Sequence, residues 1–347
     1  MIIKDSEQLR NLTGSYYANN DFEKIRTTLQ GVEDEVADII GRSVMEQLVT
    51  EAGGGEGTME ITTTDGQQLL ADGKQISVGD DGTVTIGGYS PYGLQMRVDG
   101  TTLYLSNRAA VVACQQAVGY MATMRFYRLN DISHENAGRK VKIDRDNEAR
   151  PFEWQLARDD RAHLEEYYRA LDRLISSLEN DPRFQLTPTW QHISRLIVGD
   201  ADSLGYLTGL EPSPWLFLRM VPYLDESQRF VAKAYGTGFA DISGAGQDLQ
   251  HAAQMAVALG AIALMGRRTS LQTMPYGMMK LFEQDGGGNR REQADADRID
   301  GYLRRLSKEQ HYWLNEMKQL RDDAAGTEAA TYLQMPDNDN RNKYMRL

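Results

Sequence analysis

The amino-acid sequence predicts a mainly α-helical protein with two duplicated three-helix units and a small antiparallel β module inserted in the first unit. Three observations carry this prediction: apolar residues spaced three or four apart in long segments, a glycine-rich stretch with repeated Asp-Gly pairs, and self-similarity at a fixed offset. The length of 347 residues leaves room for two ordinary domains. A hydrophobic content of 41% is sufficient for buried cores.

The first helical segment covers residues 21–50. Asp21 is a suitable N-terminal cap, because its carboxylate can accept hydrogen bonds from the free N–H groups of the first turn. The apolar residues that recur at the spacing of one helix face are Phe22, Ile25, Leu29, Val32, Val36, Ile39, Ile40, Val44 and Leu48.

The stretch 53–106 predicts a small antiparallel β module. Twelve of the 32 glycines lie between residues 53 and 107, and Asp-Gly pairs separate short runs rich in Thr, Ile and Val. Such pairs are a strong hairpin signal, because tight turns need residues that tolerate positive φ. The predicted strands are 58–64, 68–71, 74–78, 83–87, 94–98 and 101–105.

Two more helices are predicted after the β module. Residues 108–128 are rich in alanine and apolar on most of the circumference, which is typical of a helix buried among other helices. Residues 152–180 form a long amphipathic helix, which Asp181-Pro182 is expected to stop. Residues 129–150 are charged and irregular, and residues 183–214 are mixed in pattern.

Internal similarity indicates that the helical unit is duplicated. An offset of 195 gives 9 identities over the 36 positions from 9 to 44, about three times the number expected for unrelated segments. The alanine-rich helix 248–266 matches 108–126 at an offset of 141, and the helix 290–322 matches 152–180 at about 139. The offset thus falls from 195 to 141, a difference of 54 residues that equals the length of the stretch 53–106. We therefore interpret this stretch as an insertion into the first unit.

The predicted organisation has four parts: a first helical repeat at 1–52 plus 107–200, the β module at 53–106, a second helical repeat at 201–325 and an extended C-terminal arm at 326–347. The arm has no helical spacing, and two interpretations remain open for it. It is either a frayed terminus or a segment that becomes ordered on a neighbouring subunit, for instance as an added strand. The arm residues assigned to this interaction are Tyr332, Leu333, Met335, Tyr344, Met345 and Leu347.

Composition excludes several classes of protein. The net charge of −12 disfavours nucleic-acid binding, which depends on Lys and Arg. The single Cys114 excludes an internal disulfide and a thiolate zinc site. No apolar run approaches the roughly 20 residues of a membrane span, and the N-terminal residues lack the order of a signal peptide. We therefore expect a soluble protein made inside the cell.

The sequence predicts no catalytic, cofactor-binding or metal site. The five histidines lie in five separate segments, and those on predicted helices, such as His163, are expected to be structural or solvent-facing. The run Asp144-x-Asp146-x-Glu148 resembles the start of a calcium loop but lacks its glycine and its final acid. The glycine-rich segments lack the strand context of a phosphate loop. No Gly-x-Ser-x-Gly elbow occurs.

Five short motifs stand out in the helical part of the sequence. They are Ile3-Lys-Asp-Ser-Glu-Gln-Leu-Arg10, the end of a helix at Ile39-Ile40-Gly41, Arg150-Pro-Phe-Glu-Trp-Gln155, Leu171-Asp-Arg-Leu174 and Leu178-Glu179. These motifs resemble those of an uncharacterised family that occurs in phages and prophages of gut Bacteroidales. The similarity covers roughly 1–50 and 108–270, and the insertion 53–106 departs from it. Proteins of this family look like helical head–tail connector (adaptor) proteins.

The resemblance implies a structural virion protein rather than an enzyme. It implies a ring of about twelve copies between the portal and the tail of a tailed phage. Because each chain is predicted to contain two repeats, a ring of about six chains would imitate the same symmetry. Its partners would be further copies, the portal protein and tail or neck proteins. DNA would pass through the channel without specific binding, since an acidic wall repels it. The chain would be made in the host bacterial cytoplasm and located in the virion neck, with no membrane or cofactor.

Three alternatives remain open at this point. The β insertion could be a ligand- or glycan-binding module on a helical scaffold, in which case it should fold alone and bind its target. The chain could be another neck, tail-completion or scaffold protein. An enzyme would require acids and histidines of both repeats to converge on one pocket.

Overall fold

Helices form most of the structure and short antiparallel strands form its other main elements, which confirms the predicted mainly α fold with a small β module. The structure is a computed structural model. It describes residues 1–16, 21–60, 62–63, 69–71, 74–78, 84–86, 94–130, 133–135, 138–140, 153–236, 239–268 and 296–324.

Contacts between Cα atoms divide the chain into two compact units. Among the described residues, the first unit holds Met1–Arg195 and Ser213–Arg219, and the second holds Leu196–Pro212 and the residues from Met220 onward. The predicted four-part organisation is finer than this division and stays a prediction.

The first unit is organised around one alanine-rich helix. Its helices are α1 (Ser6–Thr13), α2 (Phe22–Ile40), α3 (Arg42–Ala52), α4 (Arg108–Asn130), α5 (Glu153–Leu178), α6 (Pro182–Gln185) and α7 (Pro188–Ile193). Helices α1, α2, α3 and α5 all pack against α4. Small residues make this possible: a Cβ atom on Gly119 of α4 would lie only 3.0 Å from Thr13 Cγ2 of α1.

The predicted helical segment 21–50 is two helices, because the chain breaks at Gly41. Gly41 has a φ of 97°, a conformation that L side chains rarely adopt. A Cβ atom there would also lie 3.1 Å from Thr187 Cγ2. The apolar spacing continues across the break, so periodicity alone does not reveal it.

The segment after α5 is more regular than the sequence predicts. Asp181 caps α6 by accepting a hydrogen bond from the Arg183 N–H at 3.0 Å, and Thr187 caps α7. Both helices begin with proline, the favoured residue of a first helical position. Asp181-Pro182 therefore starts a helix, while α5 already ends at Leu178.

The β module consists of two antiparallel sheets. Its strands are β1 (Gly57–Glu60), β2 (Thr62–Thr63), β3 (Leu69–Ala71), β4 (Lys74–Val78), β5 (Val84–Ile86), β6 (Gln95–Asp99) and β7 (Thr102–Ser106). One sheet has the order β1-β7-β6 and the other the order β2-β3-β4-β5. The strands share a hydrophobic cluster of their own, formed by Ile76, Val84, Leu94, Leu103 and Leu105.

Two details of the strands differ from the prediction. The predicted strand 58–64 is divided between the two sheets. Its first part pairs with β7 as far as Glu60, which lies opposite Thr102, and Thr62–Thr63 pair with β3. The segment predicted as irregular contains a short hairpin of β8 (Ser133–Glu135) and β9 (Gly138–Lys140). Strands of three residues are too short to show an alternation in sequence.

The second unit repeats the plan of a central alanine-rich helix. Its helices are α8 (Ala201–Thr208), α9 (Pro214–Tyr235), α10 (Gln247–Arg268) and α11 (Ala296–Ala324), with the first residues of α9 counted in the first unit. Helix α10 packs against α8 and α11. In chain order, a 3₁₀ helix, Phe239–Gly244, lies between α9 and α10, where the first unit has α3 and the β module between α2 and α4.

Helix α10 meets the length and composition of a membrane span, although the sequence analysis expected no such segment. It is the one described helix that does so, and 67% of its apolar window is buried inside the structure. Burial of this kind is also found in the core helix of a folded domain, and alanine and glycine supply much of its apolar character.

The two units repeat the ends of their first helices in detail. Asp5 and Asp200 cap α1 and α8, with φ of −152° and −150°, and each accepts a hydrogen bond from the N–H three residues ahead. Gly14 and Gly209 end these helices in the left-handed conformation, with φ of 67° and 69°. All four residues obey the offset of 195, which extends the similarity from sequence to backbone.

A buried charge network joins the β module to the helices. Arg183 forms ion pairs with Glu51 at the end of α3 and with Asp181, and all three side chains are almost completely buried. Asn107, between β7 and α4, donates its backbone N–H to Glu51 at 2.7 Å and its Nδ2 to Asp181 at 3.2 Å. Gly57, the first residue of β1, lies so close that a Cβ atom would collide with the Arg183 guanidinium.

The network therefore contacts both ends of the β module: it is hydrogen-bonded to Asn107 and packs against Gly57. Burial alone would lower the pKa of Arg183, but the hydrogen bonds and charges of Asp181 and Glu51 raise it above its ordinary value. The guanidinium accordingly stays charged. Each carboxylate oxygen has a hydrogen-bond donor, which is the condition under which buried charges are tolerated.

Replacing Arg183→Met should lower the free energy of unfolding by about 3–5 kcal/mol, because two buried carboxylates lose their counterion. Urea unfolding followed by circular dichroism measures the change. Arg26→Met is a matched control, because Arg26 pairs with Glu23 on the exposed surface of α2, and it should shift the value by about 0.5 kcal/mol or less. Equal stability of both variants would contradict the role of the network.

Candidate functional site

The sequence-predicted interaction residues lie outside the described part of the structure. These are the arm residues Tyr332, Leu333, Met335, Tyr344, Met345 and Leu347. The acidic run from Asp144 to Glu148 also lies outside the described residues. The candidate groups considered below belong to the described residues.

Those groups do not form a metal centre. Within the described ranges, no three His, Cys, Asp or Glu side chains come together in a way that could hold a metal ion. The histidines are distributed over separate elements, with His134 in β8, His192 in α7, His251 in α10 and His311 in α11. Among the histidines whose burial the structure describes, only His163 of α5 is buried.

One pair of polar side chains has the geometry of a nucleophile and its base. Ser15 Oγ lies 2.8 Å from His163 Nε2, and His163 Nδ1 lies 3.0 Å from the backbone oxygen of Asp159. A carbonyl oxygen can only accept, so Nδ1 carries the proton and Nε2 accepts from the Ser15 hydroxyl. The sequence does not predict this pair, because 148 residues separate its members and no spacing rule connects them.

The surroundings of the pair favour a structural role. The backbone N–H of Ser15, a donor that a developing oxyanion would need, donates instead to Thr13 Oγ1 at 3.4 Å. The hydroxyl of Tyr127 donates to the Ser15 carbonyl at 3.0 Å. The Asp159 carboxylate lies 3.6 Å from His163 and is largely exposed. These contacts fasten the end of α1 to α4 and α5.

Cys114 is unsuited to nucleophilic chemistry in the folded protein. Its side chain is fully buried in α4, with its sulfur 3.7 Å from the sulfur of Met45. Burial, followed by the nearby charge of Glu33, raises the pKa of the thiol far above its ordinary value. The thiol therefore stays protonated and acts as a small apolar core residue.

The remaining candidates are exposed surfaces of the helices. Tyr206 projects from α8 opposite its buried residues and is 84% exposed. Exposed aromatic and aliphatic side chains are frequent at protein contact sites. The large hydrophobic residues exposed in the described structure are Val78, Leu129, Leu156, Leu186, Tyr206, Phe230 and Tyr312.

Comparisons with protein-family models, with curated proteins and with solved structures found no match to this chain.

Replacing Ser15→Ala should lower the free energy of unfolding by about 1 kcal/mol, because one partly buried hydrogen bond is lost. Urea unfolding measures this, and Ser194→Ala, which removes an exposed hydroxyl, is the control. A fluorophosphonate probe should leave Ser15 unmodified, as judged by mass spectrometry of the folded chain. Covalent labelling of Ser15 that disappears in His163→Gln would contradict the structural role.

Proposed function

We propose that the chain is a structural virion protein, a head–tail connector or adaptor that forms a ring between the portal and the tail of a tailed phage. The observation that carries the proposal is the repeated helical unit with large apolar side chains on its solvent-facing surface, Tyr206 above all. A repeated unit supplies two related surfaces per chain, and exposed aromatic residues are typical of subunit contacts.

The charge of the chain supports the same proposal. A net charge of −12 suits the wall of a channel through which DNA slides, because like charges prevent tight contact. The proposed partners are further copies of the chain in a ring of about twelve, the portal protein and the tail or neck proteins. Neither a catalytic residue nor a cofactor belongs to this proposal.

The β module favours a second candidate function. Its strands have their own hydrophobic cluster, separate from the helical core, and the buried network of Arg183 fixes both of its ends. A module held in this way suits the recognition of a ligand, a glycan or another protein. Binding of a glycan by the full chain, lost when β4 and β5 are replaced by a short linker, would favour this candidate.

The purified chain should form rings in a concentration-dependent manner. Light scattering measures the mass of the particles, and negative-stain images show their symmetry. A ring with about twelve related units would support the connector proposal. A chain of 39.0 kDa that stays monomeric at every concentration tested would contradict it.

Deleting residues 331–347 should leave the fold and the ring intact and abolish attachment to the adjoining virion ring. The arm residues have no core-sized apolar pattern, so their removal should not change the circular dichroism spectrum or the midpoint of unfolding. Co-sedimentation with the adjoining ring measures attachment. A scrambled arm of the same composition is the control, and unchanged attachment of the deletion variant would refute the role of the arm.

A further inference from the structure

Helices α2 and α9 carry opposite charges at equivalent positions. The offset of 195 that relates the capping residues also relates Asp34 to Arg229 and Asp38 to Lys233. Both helices end at a glycine of this same alignment, Gly41 and Gly236, with φ of 97° and 93°. The equivalence is therefore one of backbone geometry as well as of sequence.

These charged residues are exposed in both units. Arg229 is 79% exposed and Asp38 is 67% exposed, and Asp34 and Lys233 also face solvent. Between residues 32 and 40 the sequence has four acids and no base, and between 227 and 235 it has two bases and no acid. We call residues Asp34 and Asp38 the acidic stripe, and Arg229, Phe230 and Lys233 the basic stripe.

Phe230 adds an apolar contact to the basic stripe. It occupies the position equivalent to Glu35, whose carboxylate accepts two hydrogen bonds from Arg125 at 2.6 and 2.8 Å. In the second unit this ion pair is replaced by an aromatic ring that is 50% exposed. An exposed aromatic ring beside two cations offers apolar area to a contact with another chain.

One residue of each stripe already has an ion pair within the chain. Arg42 pairs with Asp38 at 3.1 Å, and Asp225 pairs with Arg229 at 2.7 Å. In each pair the two residues are four positions apart and lie at the surface. Surface ion pairs of this kind contribute little to stability. Glu226, beside the basic stripe, is already engaged by Arg268. Because exposed pairs of this kind are weak, a second copy can compete with these partners for Asp38 and Arg229.

We propose that the basic stripe of one copy docks on the acidic stripe of a second copy, which deepens the proposed ring assembly and rests on it. A contact between two different surfaces of the same chain is heterologous, and it leaves one free stripe at each end of a growing chain. Such contacts build closed rings or open filaments. Complementary charges orient the approaching copies and reject the like-charged pairings of acidic with acidic and basic with basic stripes.

Charge exchange tests the contact. One variant carries Asp34→Lys and Asp38→Lys, so both of its stripes are basic, and a second carries Arg229→Glu and Lys233→Glu, so both are acidic. Each variant alone should need at least ~100-fold higher concentration than the wild type to assemble, because each contact would join like charges. An equimolar mixture should regain wild-type assembly, since the two variants can alternate. Light scattering at low salt measures the wild type, each variant alone and the mixture.

The matched control is Arg26→Glu, which changes the charge of an exposed α2 residue outside the acidic stripe and should leave assembly unchanged. Recovery in the mixture excludes misfolding as the cause, because two misfolded variants do not restore each other. If each variant alone assembles at the wild-type concentration, this contact is overturned but the proposed ring is not. A wild-type chain that never assembles would overturn the ring and the contact together.

Discussion

The buried guanidinium of Arg183 is the interaction on which the first unit depends. It joins the end of α3, the start of α4 and the start of α6, which lie far apart in the sequence. Taking one cation and two carboxylates out of water is costly, and only complete hydrogen bonding compensates for that cost. This hydrogen bonding needs the backbone N–H of Asn107 as a donor to Glu51. It also needs a glycine at position 57, because a Cβ atom there would collide with the guanidinium. The network thereby fixes where the β module leaves and rejoins the helices.

The same constraint explains which features the sequence could predict. Strands and turns follow from local chemistry, so the predicted strands differ from those observed mainly at their ends and at Glu60. The interruption at Gly41 depends partly on Thr187, a tertiary neighbour that periodicity does not include. The Arg183 network joins residues more than a hundred positions apart, as does the pair of Ser15 and His163. Such contacts are set by packing, and no local pattern encodes them.

Close helix packing in both units uses residues without large side chains, but with different neighbours. Gly119 of α4 admits Thr13 of α1, whereas a Cβ atom on Gly260 of α10 would collide with Ser227 and Gln310. The hydroxyl of Ser227 is buried and donates to a carbonyl of α10 at 2.8 Å. The repeats have therefore kept their capping geometry while their interior contacts changed. A packed interior tolerates side-chain changes best where the total volume is conserved. A glycine at such a close contact therefore cannot be replaced by a larger residue unless its neighbours also change.

The exposed surfaces of the repeats have diverged in a different way from the interiors. A duplicated chain with identical surfaces on both units would pair each surface with its own copy, and like charges would then face one another. Opposite charges at equivalent positions remove that repulsion and favour contacts between unlike units. Asp34 with Arg229 and Asp38 with Lys233 are the positions where this occurs on α2 and α9. Gly41 and Gly236 give the two helices equivalent C-terminal ends, and in the proposed ring the opposite charges would set the direction in which copies join.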